Sequence, residues 1–298
     1  MSGSVHPPAA GGSRRGFLRA ALGTSLGLAA TAGGTLPARA AADRPPRRRI
    51  PRDGIGMHLY TMRDALARDF PGTLEQLAGI GYATVGVSGR HGHDAVGIRR
   101  MLDAAGLRAV LEHVAYPTLT GAGLPRALDD LHTLGAHWPV VPSLPGELHT
   151  PEGFREAARQ FNRIGCAARA AGLGPVLFHN HGTDHVVADG TSLYDILLTE
   201  TDPEFVGFEL DVYWAVKGGA DPAAYFRRHR HRFPALHVKD MAADGGFADV
   251  GSGTLDFAGM FAHARVGGVR QWLVEHDSPA DPFASARTSY AYLAALRY

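Results

Sequence analysis

Eight short apolar runs recur along the chain, each followed by a longer amphipathic stretch, and this rhythm constrains the fold more than any other feature. The runs fall at residues 55–60, 84–87, 108–113, 138–141, 176–179, 206–211, 235–238 and 271–275. The stretches with helical periodicity fall at 71–80, 95–105, 124–134, 151–171, 192–200, 221–231, 257–265 and 282–296. Connections that long suit parallel strands joined by crossover helices rather than hairpins. The punctuation agrees: Thr150 and Asp221 stand as caps before Pro151 and Pro222, and Gly106 and Gly172 follow helix ends. Eight β/α units in about 245 residues predict a single-domain α/β fold, the (β/α)8 TIM barrel, whose usual size is about 250 residues. A doubly wound sheet would want a glycine fingerprint after its first strand, and Tyr60-Thr61-Met62-Arg63-Asp64 supplies none.

The barrel is expected over residues 53–298. Ahead of it, Ser13-Arg14-Arg15-Gly16-Phe17-Leu18-Arg19 leads into a small-residue apolar stretch and then Ala38-Arg39-Ala40. That order is similar to a twin-arginine export signal over residues 1–40, followed by a Pro/Arg-rich linker at 41–52. It implies delivery by the twin-arginine export machinery to the periplasm or the exterior. The glycines at 23, 27, 33 and 34 make the stretch a poor membrane span. The charge divides the same way. Residues 1–40 hold four arginines and no acid, so the formal +1 of the whole chain leaves 26 basic against 29 acidic residues in the rest. A slightly acidic barrel without a long basic run excludes a nucleic-acid face as a first reading.

Composition narrows the chemistry. A hydrophobic share of 45% with 20% charge excludes a disordered or collagen-like chain. The single cysteine, Cys166, excludes an internal disulfide and a thiolate cluster, and its place on a helical stretch predicts a packed, inert side chain. Sixteen histidines beside 29 acids leave nitrogen and oxygen ligands in plenty.

In a TIM barrel the site lies at the C-terminal ends of the strands. Period-two alternation sorts the side chains there. With Val176 and Phe178 facing the helices, His179 and His181 face inward. With Phe208, Leu210 and Val212 outward, Glu209 and Asp211 turn in. With Leu236 and Val238 outward, His237 and Lys239 turn in. With Trp272 and Val274 outward, Glu275 and Asp277 turn in. Four successive strands thus aim polar groups at one mouth, and such a cluster is costly to bury unless paired or bound to a cation. One divalent metal answers that need. Oxygen and imidazole ligands suit Mn, Co, Zn, Ni or Mg without choosing among them. Glu209 sits a layer deeper, which suits a supporting role. Lys239 is one of two lysines among 30 basic residues, a compact charge able to steady an oxyanion or to pair with Asp240 or Asp277. On the third strand the alternation leaves Glu112 and His113 competing for the inward place.

At these residues the chain resembles the xylose isomerase-like TIM-barrel family, of the sugar phosphate isomerase/epimerase type. The likeness rests on Gly56-Met57-His58-Leu59-Tyr60-Thr61-Met62-Arg63-Asp64, His179-Asn180-His181, Phe208-Glu209-Leu210-Asp211-Val212-Tyr213-Trp214, Leu236-His237-Val238-Lys239-Asp240-Met241, Val250-Gly251-Ser252-Gly253-Thr254-Leu255-Asp256-Phe257 and Val274-Glu275-His276-Asp277. The resemblance implies a metal held by His179, Asp211, His237 and Glu275, with His181 an alternative to His179. It implies Glu275, His179 and Lys239 in catalysis, and His58, His113, His181, Tyr213, Trp214 and Asp277 against a carbohydrate. Two departures stand out: His179 replaces a glutamate that many relatives use, and Gly86 stands where relatives tend to carry an inward acid.

The activity so implied is that of a metal-dependent sugar isomerase or epimerase working through an enediolate. The loss of one acid/base partner raises an alternative, a keto-sugar or cyclitol dehydratase or a 3-keto-glycoside lyase. From another class comes a non-catalytic carbohydrate-binding barrel. The substrate, the metal and any homo-oligomer stay open at this point.

Overall fold

Each of the eight apolar runs becomes a strand, and the strands pair side by side until the ring closes. In the computed structural model, which describes residues 48–298 except Asp189, they are β1 Ile55–His58, β2 Thr84–Val87, β3 Arg108–His113, β4 Trp138–Val141, β5 Val176–His179, β6 Val206–Asp211, β7 Ala235–Val238 and β8 Gln271–Val274. The order around the ring is β1-β8-β7-β6-β5-β4-β3-β2, all pairs parallel. This is a (β/α)8 TIM barrel. The export signal expected in residues 1–40, and the linker as far as residue 47, lie outside the described residues.

Alternation along the strands makes two layers. Val176, Phe178, Phe208, Leu210, Leu236, Val238, Trp272 and Val274 join the large apolar cluster beneath the helices. Leu177, Ala235 and Leu273 point inward, with Leu111, Trp138 and Val140, as a small plug of their own. Two residues further along β5, β7 and β8 the same inward face carries His179, His237 and Glu275. The register is strongly enforced: each fully buried Leu, Val or Phe contributes roughly 1.5–3 kcal/mol, and a one-residue slip of β7 would drive His237 and Lys239 into the helix layer.

Strand β3 breaks the rule. Val85 pairs with Ala109 but Gly86 with Leu111, so Val110 is an extra residue on β3. Beyond this bulge Glu112 faces Arg90, 2.6 Å away, and His113 faces the barrel interior. Gly86 is needed where it stands, since a Cβ there would lie 2.8 Å from the His58 ring and 2.9 Å from Leu111. The imidazole of His58 occupies the space an inward acid would take.

Several boundaries shift. The ladder ends at His58 on β1, where Leu59–Met62 turns into a 3-10 helix, and at Val274 on β8. The helix expected over 221–231 is Pro222–Arg228, since His229 already leaves the helical region at φ −116° and ψ 71°. The stretch 257–265 divides into Phe257–Phe261 and Ala264–Gly267. Cys166 lies on helix Pro151–Ala170 but faces solvent, which corrects the expectation of a packed thiol. Helices Arg63–Arg68, Tyr116–Thr120 and Val212–Lys217, with the hairpins Val187–Ala188/Thr191–Ser192 and Asp240–Met241/Phe247–Ala248, all follow strand ends and build up the C-terminal mouth. No helix among the described residues is long and apolar enough to cross a membrane.

Candidate metal centre

Four neighbouring strands each deliver one ligand-bearing side chain to the mouth: His179 ends β5, Asp211 ends β6, His237 lies in β7 and Glu275 follows β8. All four are buried, and one ligand atom from each falls within 4.8 Å of all the others. His179 Nε2 is 3.4 Å from Asp211 Oδ2, and His237 Nδ1 is 3.8 Å from the same oxygen. His237 Nδ1 also lies against Glu275 Oε2.

The far side of each imidazole fixes which nitrogen is bare. His179 Nδ1 lies 3.2 Å from the Pro142 carbonyl, which can only accept, so the ring hydrogen sits there and the Nε2 lone pair faces the cluster. His237 Nε2 lies 2.9 Å from Glu209 Oε1, although out of line for a hydrogen bond. The other Glu209 oxygen is 2.7 Å from His113 Nε2. A carboxylate behind a ligand histidine sets its tautomer and ring angle. His237 Nδ1 and Glu275 Oε2 are buried without a hydrogen-bond partner despite their contact, which suits atoms aimed at a shared point rather than at one another. Two imidazoles, an aspartate and a glutamate, with no thiolate, form a fitting set for one Mn, Co, Zn, Ni or Mg ion.

The electrostatics are tightly coupled. Burial holds His179 down to about 3 and His58 down to about 4, so both rings are neutral. For His237 burial also favours the neutral form, but Glu209 and Glu275 outweigh it and lift the group to about 10. Burial pushes the carboxylates up, yet Lys239 and the histidines hold Asp211 at about 2, while His237 and Lys239 hold Glu275 well below its usual range. The proton on His237 lies between two carboxylates, and a divalent cation bound through Nδ1 would replace it.

Lys239 is 2% exposed, with Nζ 3.0 Å from Asp211 Oδ2, 2.8 Å from Asp277 Oδ1 and 3.7 Å from Glu275 Oε2. Burial disfavours its charge, but these three acids keep it protonated. Asp240 takes no part in that pairing. Its carboxylate accepts backbone N–H groups from Met241, Gly251, Gly253 and Leu255 at 2.7–3.2 Å. Gly253 permits this closeness, since a Cβ there would meet Asp240 Oδ1 at 2.3 Å.

A cavity of about 420 Å³ opens over the cluster. His58, His113, His181, Trp214, Lys239 and Asp277 border it together with His179 and Glu275. Tyr213 does not: its hydroxyl donates to the Gly245 carbonyl and its ring packs on Phe247. The Asp184 N–H donates to the His181 carbonyl at 3.1 Å, and the Asp184 carboxylate accepts the His181 N–H at 2.7 Å. Tyr60, Ser88, Pro142 and Ser143 also line the cavity. They carry no titratable or ligand-like group that would mark them in the sequence, save the Tyr60 phenol. A larger cavity of about 500 Å³ lies at the N-terminal strand ends around Arg108, Trp138 and Arg270, away from the polar cluster and at the end of a barrel that serves stability.

Comparison with known proteins fits this arrangement. The inosose dehydratase of Lacticaseibacillus casei is 26% identical over 267 residues, which span 75% of this chain and 88% of that protein. A structure titled sugar phosphate isomerase/epimerase from Parabacteroides distasonis ATCC 8503 superposes with a TM-score of 0.73 at 27% identity, covering 87% of this chain and 99% of the other. A second of that title from the same organism gives 0.70 at 24% identity, covering 80% and 96%, and speaks for the fold alone. The family described as xylose isomerase-like TIM barrel matches residues 74–296, and the chain belongs to it.

Proposed function

We propose that the protein is a divalent-metal-dependent lyase of keto-sugars or keto-cyclitols, exported by the twin-arginine route. It removes the proton from the carbon beside a carbonyl and expels an oxygen substituent from the next carbon. One observation carries the choice of elimination: the carboxylates that border the cavity, Glu275 and Asp277, both come from the end of β8, whereas β5 presents only the imidazoles His179 and His181. Inverting a carbon needs a base and an acid on opposite faces, and β5 lacks the glutamate that many relatives place there. Elimination needs a base and a donor for the leaving oxygen.

A cation held by His179, Asp211, His237 and Glu275 would polarise the carbonyl. Glu275 and Asp277 are the groups that can accept the α-proton. Lys239, fixed by Asp211 and Asp277, donates hydrogen bonds to the enolate oxygen. His181, which borders the cavity, hydrogen-bonds the departing oxygen. Trp214 offers an aromatic face to the ring. The inosose dehydratase relatives support this reading, while the likeness to the Parabacteroides structure favours an isomerase or epimerase as the second one.

The test is incubation of metal-loaded protein with a keto-inositol and with keto-hexoses in deuterated water, followed by NMR. A new carbon–carbon double bond is the expected product. Deuterium at the α-carbon of an intact, inverted or isomerised skeleton would instead establish the second reading. No deuterium in any of them would mark a binding protein.

A further inference from the structure

We infer that the N-terminal end of the barrel carries a second binding site, for an aromatic ring bearing an oxyanion, either carboxylate or phosphate. It goes beyond the reaction proposed above and does not depend on it. The site is the cavity of about 500 Å³ around Trp138, where β3, β4 and β8 begin, at the other end of the strands from the metal centre. That end of a TIM barrel ordinarily contributes stability, which a closed surface with paired charges serves best. Here a cavity stands in its place, and the charges around it do not balance.

Arg99, Arg108 and Arg270 border the cavity. Among the described residues its one acidic side chain is Asp103, which Arg99 already holds at 2.8 Å. The guanidinium groups of Arg108 and Arg270 are thus left without an acid on that wall. Arg270 also borders an adjoining cavity of about 500 Å³, whose wall adds Arg48, Arg49 and Arg265 and no acidic side chain among the described residues. The excess is not one of composition, since residues 41–298 hold 26 basic against 29 acidic side chains. Positive charge gathered in a cleft attracts anions, and the fork of a guanidinium matches the oxygens of a carboxylate or phosphate.

The wall suits a flat apolar body. Leu102, Leu107 and Leu134 line it from the buried side, and the Trp138 ring lies under the Arg270 guanidinium, 5.1 Å from its central carbon. An indole in that place attracts the charge without consuming the N–H donors. Trp138 adds a donor of its own: the residue is 4% exposed, and its Nε1 is buried without a hydrogen-bond partner. His137 Nε2 stands close by, since the point a Cβ on Gly174 would occupy is 2.7 Å from both nitrogens. Burial, and then Arg270, hold His137 below its usual range, so it is uncharged at neutral pH. A buried donor left unmet in a native wall calls for a partner.

Strand β3 shapes this wall through its irregularity. Arg108, Ala109 and Val110 border the cavity in succession, at the bulge that leaves Val110 unpaired. An unbroken strand would bring only every second side chain to one wall.

The three tryptophans make the site readable in one spectrum, because Trp138 borders this cavity, Trp272 the adjoining one and Trp214 the cavity over the metal ligands. The full chain, zinc-loaded and labelled with nitrogen-15, is titrated with phenyl phosphate and with benzoate while the indole N–H signals are followed by NMR. Trp138→Phe, Trp214→Phe and Trp272→Phe assign the signals. The expected result is a saturable shift of the Trp138 signal with Trp214 unmoved, and the tighter of the two probes tells phosphate from carboxylate. Binding should weaken at least about tenfold in Arg108→Gln/Arg270→Gln and stay unchanged in Arg155→Gln/Arg159→Gln, which removes equal charge from the exposed face of helix Pro151–Ala170. No saturable shift of Trp138 with either probe, a shift confined to Trp214, or equal affinity in the two double variants would overturn the inference. So would inorganic phosphate and acetate binding as tightly as their aryl counterparts.

Discussion

Glu209 is wholly buried in the barrel interior, and both of its oxygens face histidines, His113 at 2.7 Å and His237 at 2.9 Å. Burial alone would push its carboxyl up, but those two rings hold it well below its usual range. Its ionised form keeps the His237 hydrogen on Nε2 and leaves Nδ1 for the cation. Glu209→Gln, with the charge gone and the shape kept, should therefore weaken Mn or Zn binding about 10- to 100-fold. Titration followed by circular dichroism checks this; unchanged affinity in a folded variant would remove Glu209 from the account. At this scale the sequence is readable wherever alternation runs unbroken, as at His179, Asp211 and His237. It is ambiguous at Glu112 and His113 because the extra residue at Val110 shifts the phase of β3. Tyr213 and Trp214 show another limit: both stand on helix Val212–Lys217, whose period of 3.6 sends the two rings to different surroundings.

The loop after β7 is the element whose role is least visible in sequence. Hairpin Asp240–Met241/Phe247–Ala248 carries Phe247 against Trp214 and His276, and Lys239 Nζ lies 5.8 Å from the Phe247 ring. Asp240 anchors the returning segment through the N–H groups of Gly251, Gly253 and Leu255, an arrangement that depends on Gly251 and Gly253 but is not legible from an Asp-Met dipeptide. Asp240→Asn would turn an amide donor toward those N–H groups. Hydrogen bonds to a charged group each contribute about 1.5–3 kcal/mol, so residues 240–256 should exchange amide hydrogens markedly faster, with the barrel strands unaffected. Equal protection of that segment in the variant would show the anchor to be dispensable. The barrel strands were legible because each is a short apolar run bounded by turns. Their ends at His58 and Val274 were not, since a ladder stops where its neighbours stop.

For the whole molecule, the near-neutral formal charge is the sum of an arginine-bearing segment over residues 1–40 and a slightly acidic remainder. The export reading predicts that changing Arg14→Lys and Arg15→Lys together retains the protein in the cytoplasm, as fractionation of expressing bacteria would show; normal export of the double variant would refute the twin-arginine route. The barrel architecture follows from periodicity because eight β/α units can close on one apolar plug. The substrate does not, because Ser88, Pro142 and Ser143 acquire meaning only when the loops after β2 and β4 come together over the ligand cluster. The central claim is that residues from four strands hold one divalent ion at the mouth. Its most direct test is the metal content of the reconstituted full chain, by plasma emission spectroscopy, beside an Asp211→Ala/His237→Ala variant whose fold is verified by circular dichroism. About one equivalent per chain in the wild-type protein and essentially none in the variant is the predicted result; full metal retained by the folded variant would contradict it.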